Sequence, residues 1–207
     1  MMTNKAYDVV VIGAGVIGTS TAYHLVKKGL SVALVDRSDV ARGTSSHCDA
    51  MAMLTDKQPG ADAALGYASI LRFLELQKEL SYDFECHQEG SLYVCENDSQ
   101  LELATNYVKQ MQSEGYDVHI ADPYELHERE PFLARDLTGG IWSSVDCGLN
   151  PYKLCFAFVD QVLGKGLDLY THNPVTGIKL DEKGAVCGVE TEKGTLITNK
   201  VVNACGV

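Results

Sequence analysis

The stretch AYDVVVIGAGVIGTSTAYHLVKKGLSVALVD, residues 6–36, determines how this chain folds. An apolar, β-branched run at residues 6–12 predicts a strand that is buried on both faces of a parallel sheet. A helix is expected from about Val16 to Lys28, followed by a second apolar strand from Ser31 to Val35. Strand, glycine-rich turn, helix and strand in this order are typical of a β-α-β unit that binds a dinucleotide.

Three glycines in the turn match the pattern G-x-G-x-x-G, and each has its own steric reason. Gly13 allows the sharp turn, Gly15 lets the backbone approach a pyrophosphate, and Gly18 lets the helix pack closely on the strand. The N–H groups and the dipole at the start of the helix favour a phosphate at the same place. The other residues of this turn are therefore predicted cofactor contacts as well: Ala14, Val16 and Ile17.

Asp36 follows the second strand and lies 18 residues after Gly18. A carboxylate at this strand end can accept hydrogen bonds from both hydroxyls of an adenosine ribose, and it would repel a 2′-phosphate. The position favours FAD or NAD over NADP, and the adjacent Arg37 is counted with it as a cofactor contact. Because glycine-rich turns are common, an ordinary β-α-β turn without a ligand is the alternative.

After Asp36 the chain leaves the course of a nicotinamide-type domain, in which another helix and strand extend the same sheet. Residues 37–49, RSDVARGTSSHCD, are polar and rich in hydroxyl groups. Ala50 and Met51 could let a flat ring lie against the backbone. Three hydroxyl side chains could donate to phosphate oxygens from a short helix start: Thr44, Ser45 and Ser46. Taken alone, such a cluster is more often a loop or a helix cap.

Composition and charge exclude several classes of protein. Of the 207 residues 45% are hydrophobic and 22% are charged, which is enough for a core in one large domain or two small ones. A net charge of −11 argues against nucleic acid and anionic membrane as partners, because both need a cationic face. The apolar stretch near the N terminus contains three glycines and resembles neither a signal peptide nor a spanning helix. A cytoplasmic location is therefore expected.

The cysteines and histidines do not have the spacing of a metal site. Seven cysteines include no C-x-x-C pair, and six histidines show neither H-x-H nor HExxH. We expect reduced, mostly buried thiols and no bound metal.

Hydrophobic periodicity predicts the remaining elements. Asn150 is expected to cap a helix with Pro151 at its first position. Further helices are expected at residues 65–80, 100–114, 123–130 and 151–163. Short strands are expected at residues 89–94, 117–120, 139–144, 168–170, 177–180, 186–190, 195–198 and 200–202.

Five segments in order resemble the D-amino-acid oxidase (DAO) family of FAD-dependent oxidoreductases, and within it the glycine and sarcosine oxidases. These segments are residues 6–29, ARGTSS at 41–46, EGSLYV at 89–94, EPFL at 130–133 and VVNACGV at 201–207. The segment LTDKQPG at residues 54–60 is similar to a segment in the flavin subunits of opine and hydroxyproline dehydrogenases. The resemblance covers essentially the whole chain, although the family more often has glycine where Ala50 stands.

The resemblance implies an α/β fold in which a Rossmann-type FAD-binding domain carries an inserted antiparallel β-sheet substrate domain. Residues 1–81 and 150–207 would form the FAD-binding domain, and residues 82–149 the substrate domain, both incomplete. FAD is the implied cofactor. The resemblance places the backbone of Val175 against the adenine and adds Ala204 and Gly206 to the cofactor contacts.

The implied reaction is the oxidation of a C–N bond in a small amino acid or opine. Hydride would pass from the α-carbon to flavin N5, and the imine product would be hydrolysed. The LTDKQPG segment favours a subunit of a multi-subunit dehydrogenase that passes electrons to a partner protein, while an oxidase stays open.

No catalytic residue is identified, because the arginine and tyrosine side chains that hold the substrate in this family lie beyond residue 207. The chain is therefore expected to be an N-terminal fragment or a half that needs completion. Two other functions are considered: a non-catalytic dinucleotide-binding or assembly module and, with less support, an NAD-dependent enzyme.

Overall fold

The computed structural model describes residues 5–206, which contain both helices and strands. The elements in chain order are β1 (Val9–Ile12), α1 (Val16–Lys27), β2 (Val32–Val35), a 3-10 helix (Thr44–Ser46), β3 (Met51–Ala52), α2 (Ala61–Glu79), β4 (Ser91–Cys95), α3 (Asp98–Ser113), β5 (Val118–Ala121), α4 (Pro123–Arg129), β6 (Gly139–Ser143), β7 (Cys147–Gly148), α5 (Pro151–Val162), β8 (Leu167–Tyr170), β9 (Val175–Leu180), β10 (Val186–Thr191), β11 (Gly194–Ile197) and β12 (Val201–Asn203).

The described residues form two compact units. The first unit consists of residues 5–49, 79–84 and 150–206, and the second of residues 50–78 and 85–149. Each unit contains its own sheet.

A four-stranded parallel sheet in the order β12-β1-β2-β8 forms the centre of the first unit. β1 and β2 are apolar throughout and buried throughout, as expected of strands that are covered on both faces. One face packs on β10 and β11 of the antiparallel meander β9-β10-β11, where Val10 and Ala33 contact Val189 and Leu196. Full burial of each valine or leucine side chain in this cluster contributes about 1.5–3 kcal/mol.

Helix α1 packs on β1, β2 and α5, and Gly18 sets how closely it approaches β1. A Cβ atom on Gly18 would lie 1.8 Å from the carbonyl oxygen of Gly13, well inside van der Waals contact. Only glycine fits at this position, which confirms the packing role predicted for Gly18. The helix ends at Lys27, and Gly29 follows with a φ of +83°.

The second unit contains an antiparallel sheet in the order β4-β6-β5, which α3 covers, and the short antiparallel pair β3-β7. Asp146 is fully buried and holds three segments of this unit together. Its carboxylate accepts hydrogen bonds from the Leu54 N–H at 2.7 Å, the Ser91 hydroxyl at 2.6 Å and the Thr55 hydroxyl at 3.1 Å. These charge-assisted bonds fix the loop that follows β3.

The predicted fold class is confirmed: an α/β fold with a parallel sheet accompanied by antiparallel sheets. Most predicted elements occur within about three residues of their expected bounds. Asn150 accepts a hydrogen bond from the Lys153 N–H at 3.0 Å and so caps α5 as expected.

Residues 50–78 lie in the second compact unit. The predicted domain bounds, which group these residues with the FAD-binding domain, stay a prediction. Hydrogen bonds hold the start of this stretch within the second unit: the Tyr107 hydroxyl lies 3.1 Å from the carbonyl oxygens of Leu54 and Lys57, and the Asp146 carboxylate accepts the Leu54 N–H. The assignment of FAD-binding and substrate roles to the two parts of the chain stays a prediction.

We expect Gly18→Ala to lower the free energy of unfolding by about 1–3 kcal/mol, because the added methyl group forces α1 away from the Gly13 carbonyl. Gly43→Ala is the matched control, since a Cβ on Gly43 would meet nothing within 4 Å. Urea unfolding followed by circular dichroism measures both variants. Equal unfolding midpoints for the two variants would show that the close approach at Gly18 is not a stability constraint.

Candidate cofactor site

The candidate site lies in the first unit, at the carboxyl edge of the parallel sheet. Here the chain leaves β1 at Gly13, β2 at Asp36 and β12 at Ala204. The Gly13 N–H donates to the Val35 carbonyl and the Ala204 N–H to the Ile12 carbonyl, both at 2.8 Å, so the three strand ends are fixed together. A cavity of about 460 Å³ opens at this edge. Its lining consists of Ile12, Gly13, Val35, Asp36, Arg37, Pro174, Val175, Cys205 and Gly206.

The glycine turn has the conformation that the sequence pattern requires. Gly13 has a φ of +101°, and a Cβ there would lie 2.3 Å from the Ala204 carbonyl oxygen. Gly15 is the N-cap of α1 and contributes no side-chain cap, and the first helical turn carries no acidic residue. The N-terminal end of the helix therefore keeps its partial positive charge available for an anion.

The Asp36 carboxylate ties the end of β2 to the glycine turn. One oxygen accepts the Ala14 N–H at 2.7 Å, and the other accepts the Ser38 N–H at 2.7 Å. Two carboxylate oxygens offer about four lone-pair sites, so Asp36 retains capacity for hydroxyl donors. The Ala14 N–H, predicted to face the cofactor, is engaged by Asp36 in this structure.

The hydroxyl-rich segment forms the short helix that the sequence predicts. Ser45 lies beside the start of α1, where its Oγ accepts the Val16 N–H at 2.9 Å. A Cβ on Gly15 would lie 3.2 Å from the same oxygen. The Ser46 hydroxyl instead donates to the Gly43 carbonyl at 3.1 Å, and Thr44 is exposed. Ser45 is therefore the hydroxyl that the fold brings to the glycine turn.

Five of the predicted contacts lie together at this cavity. Gly13, Asp36, Arg37, Val175 and Gly206 line the cavity directly. Four further lining residues were not among the predicted contacts: Ile12, Val35, Pro174 and Cys205. Each of these residues is adjacent in the sequence to a predicted cofactor contact, and this adjacency is the signal that would have identified it.

Ala50 and Met51 belong to the second unit, and their contact with a cofactor stays a prediction. Ala50 has a φ of +65°, a left-handed conformation that glycine adopts more readily. This conformation gives a physical reason for the glycine that the resembling family more often has there.

Within residues 5–206 no group of three or more His, Cys, Asp or Glu side chains is arranged to hold a metal ion. None of the helices in the described part of the chain has the length and apolar character needed to cross a membrane.

We expect Asp36→Ala to weaken FAD binding by about 1.5–3 kcal/mol, the range for hydrogen bonds to a charged partner. The variant removes the acceptor for ribose hydroxyls and frees the Ala14 N–H. Asp39→Ala is the control, because Asp39 is an exposed carboxylate three residues away that contacts His172 Nε2 at 2.9 Å. FAD titration by fluorescence quenching measures both, and equal affinities for the two variants would contradict the role of Asp36.

Comparisons with known proteins agree with this geometry. Mitochondrial dimethylglycine dehydrogenase from Rattus norvegicus is 29% identical over 202 residues, covering 96% of this chain and 23% of the relative. Glycine oxidase from Bacillus licheniformis is 30% identical over 210 residues, covering 98% of this chain and 55% of that protein. The crystal structure of glycine oxidase from Bacillus cereus ATCC 14579 superimposes with a TM-score of 0.84 at 25% identity, covering 97% of this chain and 55% of the other.

The chain thus spans about half the length of the glycine oxidases and less than a quarter of the dehydrogenase. The model of the family described as "DAO: FAD dependent oxidoreductase" matches residues 8–207. This chain belongs to the DAO family of FAD-dependent oxidoreductases.

Proposed function

We propose that this chain supplies the FAD-binding part of an enzyme that oxidises the C–N bond of a small amino acid or opine. The observation that carries the proposal is the cavity at the sheet edge, which is lined by Gly13 of the turn that leads into α1 and by the Asp36 carboxylate. An anion acceptor and a hydroxyl acceptor at one edge of a parallel sheet match the two polar parts of an adenosine pyrophosphate.

The residues of the cavity fit FAD part by part. Asp36 would hold the ribose hydroxyls with its remaining lone pairs, as the sequence pattern predicts. Pro174 and Val175 supply an apolar wall for the adenine on the same cavity. The absence of a Cβ at Gly15 leaves the start of α1 open to the pyrophosphate, next to the Ser45 hydroxyl. The arrangement therefore supports a dinucleotide with a free ribose 2′-hydroxyl.

A bound flavin would supply the hydride acceptor for oxidation of the amine substrate at its α-carbon, and the imine product would be hydrolysed by water. The contribution of this chain is binding and orientation of the cofactor. Its described residues provide the rigid strand ends on which that orientation depends.

The substrate class is proposed from the relatives. Their names specify glycine and dimethylglycine, both small α-amino acids with no bulky side chain. We infer an amino acid of this kind, or an opine, as the substrate of the complete enzyme.

We further infer that the chain works within a multi-subunit dehydrogenase and passes electrons to a partner protein. The LTDKQPG segment, residues 54–60, supports this inference through its likeness to dehydrogenase flavin subunits. In this structure the segment is well anchored: the Tyr107 hydroxyl holds two of its carbonyls, and the Gly60 N–H donates to Glu114 Oε2 at 2.8 Å. The segment therefore has a fixed conformation that a partner protein could recognise.

The complete enzyme tests substrate and electron acceptor together. With sarcosine, dimethylglycine, proline or an opine, we expect reduction of an artificial electron-accepting dye and little oxygen uptake. Each substrate is assayed with an oxygen electrode and with a dye under nitrogen. Oxygen uptake equal to substrate turnover would contradict the dehydrogenase assignment, and no turnover of any amine would contradict the substrate class.

A further inference from the structure

The second unit contains a cavity of about 630 Å³, which is lined by residues of β4, β6 and the end of α4. Trp142 of β6 forms part of its wall and is the only tryptophan in the sequence. The edge of its ring packs on Gly90, where a Cβ would lie 2.3 Å from the ring atom Cη2. Gly90 also has a φ of +80°, so this position suits glycine on both counts.

Arg129, the last residue of α4, lies over the ring of Trp142 and lines the same cavity. Its Cζ is 3.7 Å from the ring centroid, which is the geometry of a cation–π contact. Its Nε donates to Glu125 Oε1 at 2.8 Å, and His119 Nε2 lies 2.9 Å from the same oxygen. The hydrogen bonds from His119 and Arg129 lower the pKa of the Glu125 carboxyl. The guanidinium group is thus held by a ring on one side and a carboxylate on another.

The two terminal nitrogens of Arg129 are available to a ligand. A guanidinium has five N–H donors in a fixed fork, and Nε uses one of them. Within residues 5–206 neither Nη atom donates a hydrogen bond, although the side chain is only 35% exposed. Two parallel N–H groups match the two oxygens of a carboxylate. The geometry therefore favours a ligand that carries a carboxylate group.

Two acidic residues line the cavity together with Arg129. Glu89 and Glu130 are both exposed. Two carboxylates and one guanidinium give the lining a net negative charge, which disfavours a ligand with negative charge alone, such as phosphate. A ligand that carries an ammonium group as well as a carboxylate matches both kinds of charge.

Apolar side chains complete the lining. Leu92 lies directly opposite Trp142 in the ladder of β4 and β6, and Val94 follows on the same face of the sheet. Leu133, from the loop after α4, lines the cavity with them. These three side chains suit an aliphatic group on the ligand.

We propose that this cavity binds an aliphatic α-amino acid in its zwitterionic form. The ligand carboxylate accepts hydrogen bonds from the two Nη atoms of Arg129, and its ammonium group lies toward Glu89 and Glu130. Its aliphatic side chain contacts the apolar lining. No covalent bond is made or broken. The proposal goes beyond the proposed function and does not depend on it, because every residue that carries it lies in the second unit.

Titration of the FAD-free chain with leucine, followed by the fluorescence of Trp142, tests the proposal. We expect a saturable change in the fluorescence. Isocaproate lacks the ammonium group of leucine and isoamylamine lacks its carboxylate, so we expect each to bind at least about 10-fold more weakly. No saturable change with leucine, or equal affinity for leucine and isoamylamine, would overturn the proposal.

Variants at Arg129 test the contact itself, with affinity measured by isothermal titration calorimetry. We expect Arg129→Gln to weaken leucine binding about 10-fold or more. Arg135→Gln is the matched control, because Arg135 is exposed and does not line the cavity, and it should leave the affinity unchanged. Equal leucine affinities in the two variants would overturn the proposal.

Arg129→Lys separates the contact from a structural effect, because it keeps the positive charge and loses the fork of N–H groups. We expect it to bind leucine more weakly than the unmodified chain while its circular dichroism spectrum stays unchanged. Full leucine affinity in this variant would overturn the assignment of the carboxylate to the fork. Titration of the same samples with FAD reports on the proposed function separately, since leucine binding without FAD binding would contradict only that function.

Discussion

The close approach of α1 to β1 is the constraint on which the rest of the site depends. A Cβ atom on Gly18 would lie 1.8 Å from the Gly13 carbonyl oxygen. The helix α1 can therefore pack this close to β1 only with glycine at residue 18. This contact brings the N terminus of α1 to the edge of the sheet, beside the ends of β2 and β12. A bulkier residue at position 18 would move the N-terminal end of α1 away from the cavity, and the helix dipole and the free N–H groups at that end would move with it.

Around that constraint, polar groups hold the glycine turn from two sides. Asp36 accepts the Ala14 N–H, and Ser45 accepts the Val16 N–H, so residues before and after Gly15 are both fixed while Gly15 itself stays uncovered by a side chain. A turn held on both sides does not need to order itself when a ligand arrives, which lowers the entropic cost of binding.

Much of this organisation is readable from the sequence, because it is encoded by local patterns. The buried strands β1 and β2, the glycine turn and the capped α5 follow from periodicity and steric rules that act within a few residues. The two-residue strands β3 and β7 were not predicted, since two residues carry no periodicity. The hydrogen bonds of Asp36 to Ala14 and of Ser45 to Val16 join residues 22 and 29 positions apart, so no local pattern contains them. The hydrogen bond that holds Leu54 comes from the buried Asp146, 92 positions further on, so no local pattern contains it either.

The measurement that tests the central claim most directly is the visible absorption spectrum of the chain during titration with FAD, alongside Gly15→Val. We predict that the unmodified chain binds FAD and shifts the flavin absorption spectrum. Gly15→Val fills the space beside Ser45 Oγ, and we expect it to abolish FAD binding while the circular dichroism spectrum of the variant stays unchanged. Thr21→Val, nearly two turns further along α1, should bind FAD normally. Equal FAD affinity in the unmodified chain and Gly15→Val, or binding of NADH in place of FAD by the unmodified chain, would contradict the account.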